Sequence, residues 1–256
     1  MPLVNIRIED HIGIIMLNNP AKSNLMSAKM SEEFQQAVSQ LESNEKIKAI
    51  FISGEGSAFC AGADLSDLIA AHDGEGEGIR AIYDAFMAVA YCNLPTIAGI
   101  NGVAVGAGMN LALACDIRLA TPDSYLDTRF MKIGIHPGGG HTWMLPKTVG
   151  WQQSVNLLLL SNQMSGAEAE KCGLVLKCVS KANFMPEVKL LTNNLTHTPK
   201  EVLVRTKRSL RENQKYTSQQ DALEAEFSEQ MWSLQQPDAH EMISRLKERI
   251  SSKNKS

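Results

Sequence analysis

Several function classes are missing from this sequence. There is no G-x-x-x-x-G-K-[ST] phosphate loop, and Gly106-Ala107-Gly108 lacks the third glycine of a dinucleotide fingerprint. No G-x-S-x-G occurs and no serine falls in residues 102–110, which argues against a serine hydrolase built on this turn. The five cysteines are odd in number and contain no C-x-x-C pair, so they read as buried free thiols of a reducing compartment. Cys60 has no base paired with it in sequence, which disfavours a nucleophile there. His136 and His141 form H-x-x-x-x-H with no further acidic or cysteine ligand at a metal-like spacing, so no metal is expected. With a net charge of −3 there is no basic field for nucleic acid or an anionic membrane. The most apolar stretch, residues 97–115, is interrupted by Asn101 and Asn110 and broken by four glycines, so no membrane span is expected. The first ten residues lack the basic stretch and apolar core of a signal peptide, and the expected location is the cytoplasm.

What remains is an ordinary soluble composition, 44% apolar and 21% charged, long enough for one large domain or a domain with an appended helical piece. Val4, Ile6 and Ile8 alternate with polar neighbours, and residues 12–17 follow a break at Asp10-His11, which reads as a hairpin. Met30, Phe34, Ala37, Val38 and Leu41 recur at helical spacing behind Ser27, a plausible N-cap. Residues 47–53, 96–100 and 117–120 read as strands, and 108–114 as a short helix. A helix carries Ile79, Ile82, Phe86 and Val89, preceded by a glycine-rich surface loop over 70–78. This alternation predicts an α/β core. Beyond Trp151 the pattern changes: 155–160 and 167–172 read as helical, 174–179 as a last short strand, and nearly everything after Pro186 as helix. Leu223, Phe227, Met231 and Leu234 make one apolar stripe, and Met242, Leu246 and Ile250 another, each needing a surface to bury against. The expected division is 1–190 for the core and 191–256 for the helical region, with 251–256 a frayed tail.

Two segments carry the chemical interest. Ser57-Ala58-Phe59-Cys60-Ala61-Gly62-Ala63-Asp64-Leu65 follows a strand, and Asp64 is a natural N-cap. Asn101-Gly102-Val103-Ala104-Val105-Gly106-Ala107-Gly108 also follows a strand and opens a helix, whose first N–H groups attract negative charge. Facing each other, such turns could place two N–H donors on one carbonyl oxygen. Glycine-mediated close packing of strand and helix explains the spacing equally well.

The runs Ala-Phe-Cys-Ala-Gly-Ala-Asp-Leu, Asn-Gly-Val-Ala-Val-Gly-Ala-Gly, Ala-Cys-Asp-Ile-Arg-Leu-Ala and Ile133-Gly134-Ile135-His136-Pro137-Gly138-Gly139-Gly140 closely resemble the crotonase superfamily of enoyl-CoA hydratases and isomerases. Their order and intervals match over residues 4–179. The resemblance implies an α/β spiral of ββα units, a C-terminal helical part used in trimer formation, and a bound acyl-CoA thioester, with coenzyme A entering only as part of the substrate. The implied assembly is a homotrimer or a dimer of trimers. It also implies that Ala63 and Ala107 supply oxyanion-hole N–H groups, and that Lys22, Asn24, Ala61, Asp64 and Leu65 fall where the CoA moiety is cradled. For Lys22 a solvated surface lysine is an equal alternative.

The sequence departs from that family where its hydratases carry two glutamates. Those positions hold Asn110, which cannot accept a proton, and Phe130, which fills space against the substrate. An aspartate that some isomerase-type members place after the proline is here Gly138. Two groups are backup candidates for proton transfer. His136 faces either the pocket or a subunit contact, and Asp127 reaches in from another angle or is a plain loop carboxylate. His141 reads as a helix start and Asp116 as a structural hydrogen-bonding residue. The expected activity is enolate or oxyanion stabilisation on a thioester with non-standard or weak catalysis; the alternative is a non-catalytic acyl-CoA-binding protein.

Overall fold

In the computed structural model, which describes residues 1–253, the expected hairpin is β1 (Val4–Glu9) paired antiparallel with β2 (Ile12–Leu17). Asp10 turns the chain between them in a left-handed conformation, φ 57°. Helix α1 (Ala28–Ser43) starts where Ser27 accepts a hydrogen bond from the Met30 N–H, and it buries Met30, Phe34, Val38 and Leu41. Each such side chain contributes about 1.5–3 kcal/mol when taken out of water.

From there the chain repeats a strand–strand–helix turn. β3 (Ala49–Gly54) and β4 (Ala58–Cys60) lead into α2 (Leu65–His72) and α3 (Glu77–Tyr91). β5 (Thr96–Ile100) and β6 (Val103–Val105) lead into α4 (Ala107–Ala114). β7 (Ile117–Ala120) and β8 (Tyr125–Asp127) lead, after a 3₁₀ turn at Phe130–Ile133, into α5 (His141–Ser154). The first strand of each turn joins one six-stranded sheet, β1-β2-β3-β5-β7 with a last strand β10 (Lys177–Cys178) at its edge. The second strand of each joins a four-stranded sheet, β4-β6-β8 with β9 (Met164–Ser165). These are the stacked ββα units that the sequence led us to expect. Every residue of β3 and β5 is buried, which is why both read as continuous apolar runs rather than alternations. Phe51, Ile97, Leu119, Phe184 and Val188 pack together on one face of the large sheet, the last two from α7 (Phe184–Thr192).

Three expectations change. Residues 70–78 are not one loop: α2 runs to His72 and α3 begins at Glu77, leaving a short connection. None of the α2 residues is buried, so its helical face was faint in the apolar pattern. The strand expected over 174–179 shrinks to Lys177–Cys178, because Leu174 and Val175 are buried in the turn after α6 (Gly166–Lys171), where the Leu174 carbonyl accepts from Arg118 Nε at 2.6 Å. The helical stretch at 155–160 is a wide π turn, Val155–Leu159.

The chain divides into two compact units, Met1–Thr196 and His197–Ser256. The second consists of α8 (Lys200–Glu212), α9 (Gln219–Leu234) and α10 (Pro237–Lys253). Within it Arg205 lies 3.7 Å over the Trp232 ring and pairs with Glu201 and Glu229. Both apolar stripes stand exposed, with Phe227 at 56% and Leu246 at 55%. Of the expected frayed tail, residues 251–253 are helical and 254–256 lie outside the described residues. Among the described residues no helix is long and apolar enough to cross a membrane.

Candidate functional site

β4 and β6 are parallel neighbours, so the turns that follow them leave the same edge of the small sheet. The turns then touch. A Cβ on Gly108 would lie 2.0 Å from the Cys60 carbonyl oxygen, and one on Gly62, whose φ is +118°, would lie 3.2 Å from the Val105 carbonyl oxygen. Close packing and backbone donors are thus not alternatives here: the turns that carry Ala63 and Ala107 are packed against each other. Met26 bridges to Ala63 through its own N–H to the Gly62 carbonyl (2.8 Å) and through the Asp64 N–H to its carbonyl (3.1 Å). That pattern turns the Ala63 N–H away from Met26. Ala107 is the first residue of α4, where a helix leaves its N–H groups without internal partners. Among the described residues neither N–H donates to a backbone carbonyl.

Ala63 and Ala107 line one cavity of about 370 Å³, walled on its apolar side by Leu68, Ile79, Ile82 and Phe86 of α2 and α3. Phe130 closes another side, and Ala61, Leu65, Asn110 and His136 also line it. So do Tyr83 and Arg129, which the sequence did not single out. Tyr83 lies four residues after Ile79, so extending the α3 stripe by one position would have found it. No aspartate or glutamate is among the lining residues.

Asn110 is 2% exposed and fixed on both ends. Its Nδ2 donates to the Gly138 carbonyl at 2.8 Å, and its Oδ1 is 2.6 Å from Nδ1 of His141. His141 opens α5 as expected, fully buried, with its ring 5.2 Å edge-on to Phe130. Burial pushes its pKa down to about 4. Between that value and the ordinary 6.5 or so, the unfolded chain binds the extra proton, so stability rises with pH through this window. Urea unfolding from pH 7 to pH 4 is expected to show wild type losing about 3 kcal/mol more than His141→Asn. Parallel pH dependences of the two proteins would refute a neutral, buried His141.

The exposed His136 ring places Nδ1 2.7 Å from the Pro137 carbonyl. A carbonyl only accepts, so Nδ1 carries a hydrogen, and in the neutral ring the lone pair is on Nε2. Asp127, the other backup candidate, is not in the cavity lining. Its side chain is fully buried and held by Arg129 Nε at 2.9 Å and Lys132 Nζ at 3.1 Å. Burial alone would raise its pKa, but hydrogen bonds from Lys132 and Arg129 and their charges hold the carboxyl below the usual range, making it a poor base. Asn24 is likewise no ligand contact through its side chain. It is fully buried, accepting from the Asn19 N–H (2.8 Å) and donating to the Glu55 and Ala58 carbonyls (3.0 and 2.8 Å). Asp64 caps α2 by accepting from Ser66, whose hydrogen bonds keep the carboxylate below its usual range. Lys22, largely exposed, reaches 4.0 Å from Asp64. Asp116 is structural as expected, accepting from the Thr96 N–H and hydroxyl at 2.7 and 2.9 Å. Cys60 is fully buried and burial pushes its thiol up to about 11, so it stays protonated and is no nucleophile.

Comparison with known proteins bears on this geometry. The family model described as enoyl-CoA hydratase/isomerase matches residues 7–255. A Mycobacterium tuberculosis protein named "Probable enoyl-CoA hydratase EchA14" is 44% identical over 174 residues, 68% of this chain and 68% of its own length. The 1,2-epoxyphenylacetyl-CoA isomerase of Escherichia coli K12 is 29% identical over 78% of each chain. The crystal structure of enoyl-CoA hydratase from Bacillus anthracis shares the fold, with a TM-score of 0.90 over 96% of both chains at 24% identity.

Proposed function

This chain belongs to the enoyl-CoA hydratase/isomerase family, and from that premise we propose that it binds an acyl-CoA thioester and polarises the carbonyl between the N–H groups of Ala63 and Ala107. The observation that carries this reading is the pair of N–H groups without backbone partners, lining a cavity that contains no carboxylate. As a proton leaves the carbon next to the thioester, negative charge accumulates on the carbonyl oxygen. Each donor aimed at that oxygen contributes about 2.7–4 kcal/mol. His136 is the base: its Nε2 lone pair takes the proton, and the Pro137 carbonyl holds the ring in that tautomer. Ala61 and Leu65 contact the ligand from the first turn, and Lys22 and Asp64 flank the CoA moiety at its edge. The chemistry needs no cofactor beyond the coenzyme A of the substrate. The exposed stripes of α9 and α10 support assembly into a homotrimer or a dimer of trimers.

Without a carboxylate pair to activate water, crotonyl-CoA hydration is expected to be slow, while exchange of the α-hydrogens of butyryl-CoA in D₂O proceeds. His136→Ala is expected to slow that exchange about 10²-fold. Hydration at ordinary enzyme rates, on the order of 1–10³ per second, would defeat this reading. The absence of carboxylates also favours a second one, an acyl-CoA-binding protein without turnover. Tight binding with no exchange above the spontaneous rate would establish it instead.

A further inference from the structure

In the cavity that the backbone donors line, two side-chain polar groups from different helices meet on one residue. Tyr83 comes from α3 and Asn110 from α4, and both end at Gly138. A Cβ on residue 138 would lie 1.8 Å from the Tyr83 hydroxyl oxygen, so that hydroxyl occupies the space any side chain there would need. A Cβ on Gly139 would lie 2.5 Å from Asn110 Nδ2. The consecutive glycines are therefore what admits both polar tips.

The orientation of the Asn110 amide follows from its partners. The Gly138 carbonyl only accepts, so the NH₂ group faces it, and the amide oxygen must face His141. His141 then carries its hydrogen on Nδ1. With the oxygen engaged by His141, one N–H of the amide remains uncommitted on a residue that lines the cavity. The Tyr83 hydroxyl, on the same lining, makes no hydrogen bond to the protein among the described residues. Two neutral donors suit an oxygen that only accepts. Arg129, the cation on this lining, pairs with Asp127 at 2.9 Å, a carboxylate that it shares with Lys132.

We propose that Tyr83 and Asn110 form a second oxygen-binding corner that recognises a further carbonyl oxygen on the acyl chain, so that the ligand class is an oxoacyl thioester rather than a plain hydrocarbon one. His141 is a positioning residue in this corner, acting through Asn110. The proposal rests on the acyl-CoA reading above and adds to it the substrate class.

Calorimetric titration with butyryl-CoA, acetoacetyl-CoA, 3-hydroxybutyryl-CoA and succinyl-CoA tests it. Wild type is expected to bind acetoacetyl-CoA about tenfold tighter than butyryl-CoA, in line with one added hydrogen-bonded group. In Tyr83→Phe that ratio is expected to collapse to about threefold or less. His141→Asn retains an N–H donor near the Nδ1 position and is expected to keep the ratio, whereas His141→Leu loses it. Equal affinities in wild type would mean that the corner holds only water, and would overturn the proposal. So would a preference that survives Tyr83→Phe, or tighter binding of the hydroxyl or carboxylate ligand than of acetoacetyl-CoA. Binding of butyryl-CoA without any preference sinks the corner alone; failure of all four ligands to bind sinks the acyl-CoA reading with it.

Discussion

Ala107→Pro is expected to slow α-hydrogen exchange of a bound acyl-CoA thioester by about 10²–10³-fold, the loss of one donor worth about 2.7–4 kcal/mol. Proline is well tolerated at the first position of a helix, where its missing N–H has no helical partner to lose. Ala107 is that residue in α4. The substitution thus removes the donor with little change to the helix, and thermal unfolding should move by no more than a few degrees. Mass-spectrometric deuterium uptake by butyryl-CoA, alongside calorimetric unfolding of the variant, reads both quantities. Wild-type exchange rates in a folded Ala107→Pro protein would remove this N–H from the mechanism. A proportionate loss of rate and of thermal stability would point instead to a misplaced helix.

Gly108→Ala is expected to destabilise the chain by about 3 kcal/mol or more. The new methyl would meet the Cys60 carbonyl oxygen at 2.0 Å, and backbone cannot rotate out of the way as a side-chain tip can. The variant should melt about 6–12 °C lower than wild type, the shift that such a loss produces in a chain of this size. Relief requires α4 to move off β4, which separates the Ala63 and Ala107 donors. Exchange activity should therefore fall even below the melting transition. A variant that melts within a degree or two of wild type would show that these turns do not pack as described.

How much of this was legible beforehand depended on where each residue's partners lie. Strand β5 matches its expected span because it is buried throughout, and β7 matches although Arg118 interrupts its apolar residues and only Leu119 and Ala120 are buried. The paired turns were legible too, since glycine spacing and a helix start are local features. The last turn of α2, which falls in the expected loop, was not legible because the helix buries no residue. The role of Asn24 was not legible because its partners at Glu55 and Ala58 lie 31 and 34 residues away, whereas Asp127 is held mainly by its near neighbours Arg129 and Lys132, whose side-chain directions no spacing announces. The link between Asn110 and His141 spans 31 residues, and nothing in the spacing of a single sequence announces it. Tyr83 was hidden by being the polar-tipped member of an otherwise apolar wall.

The wall and the donors have separate origins. Leu68, Ile79, Ile82 and Phe86 belong to the paired helices α2 and α3, while Ala63 and Ala107 sit in turns at the ends of β4 and β6. Ligand size and carbonyl activation are thereby independent variables. Lengthening the short connection between α2 and α3, or trimming Leu68 or Ile79, reshapes the space for an acyl chain while the two N–H groups stay fixed by the sheet. One scaffold can thus change the guest it admits without rebuilding the device that acts on it.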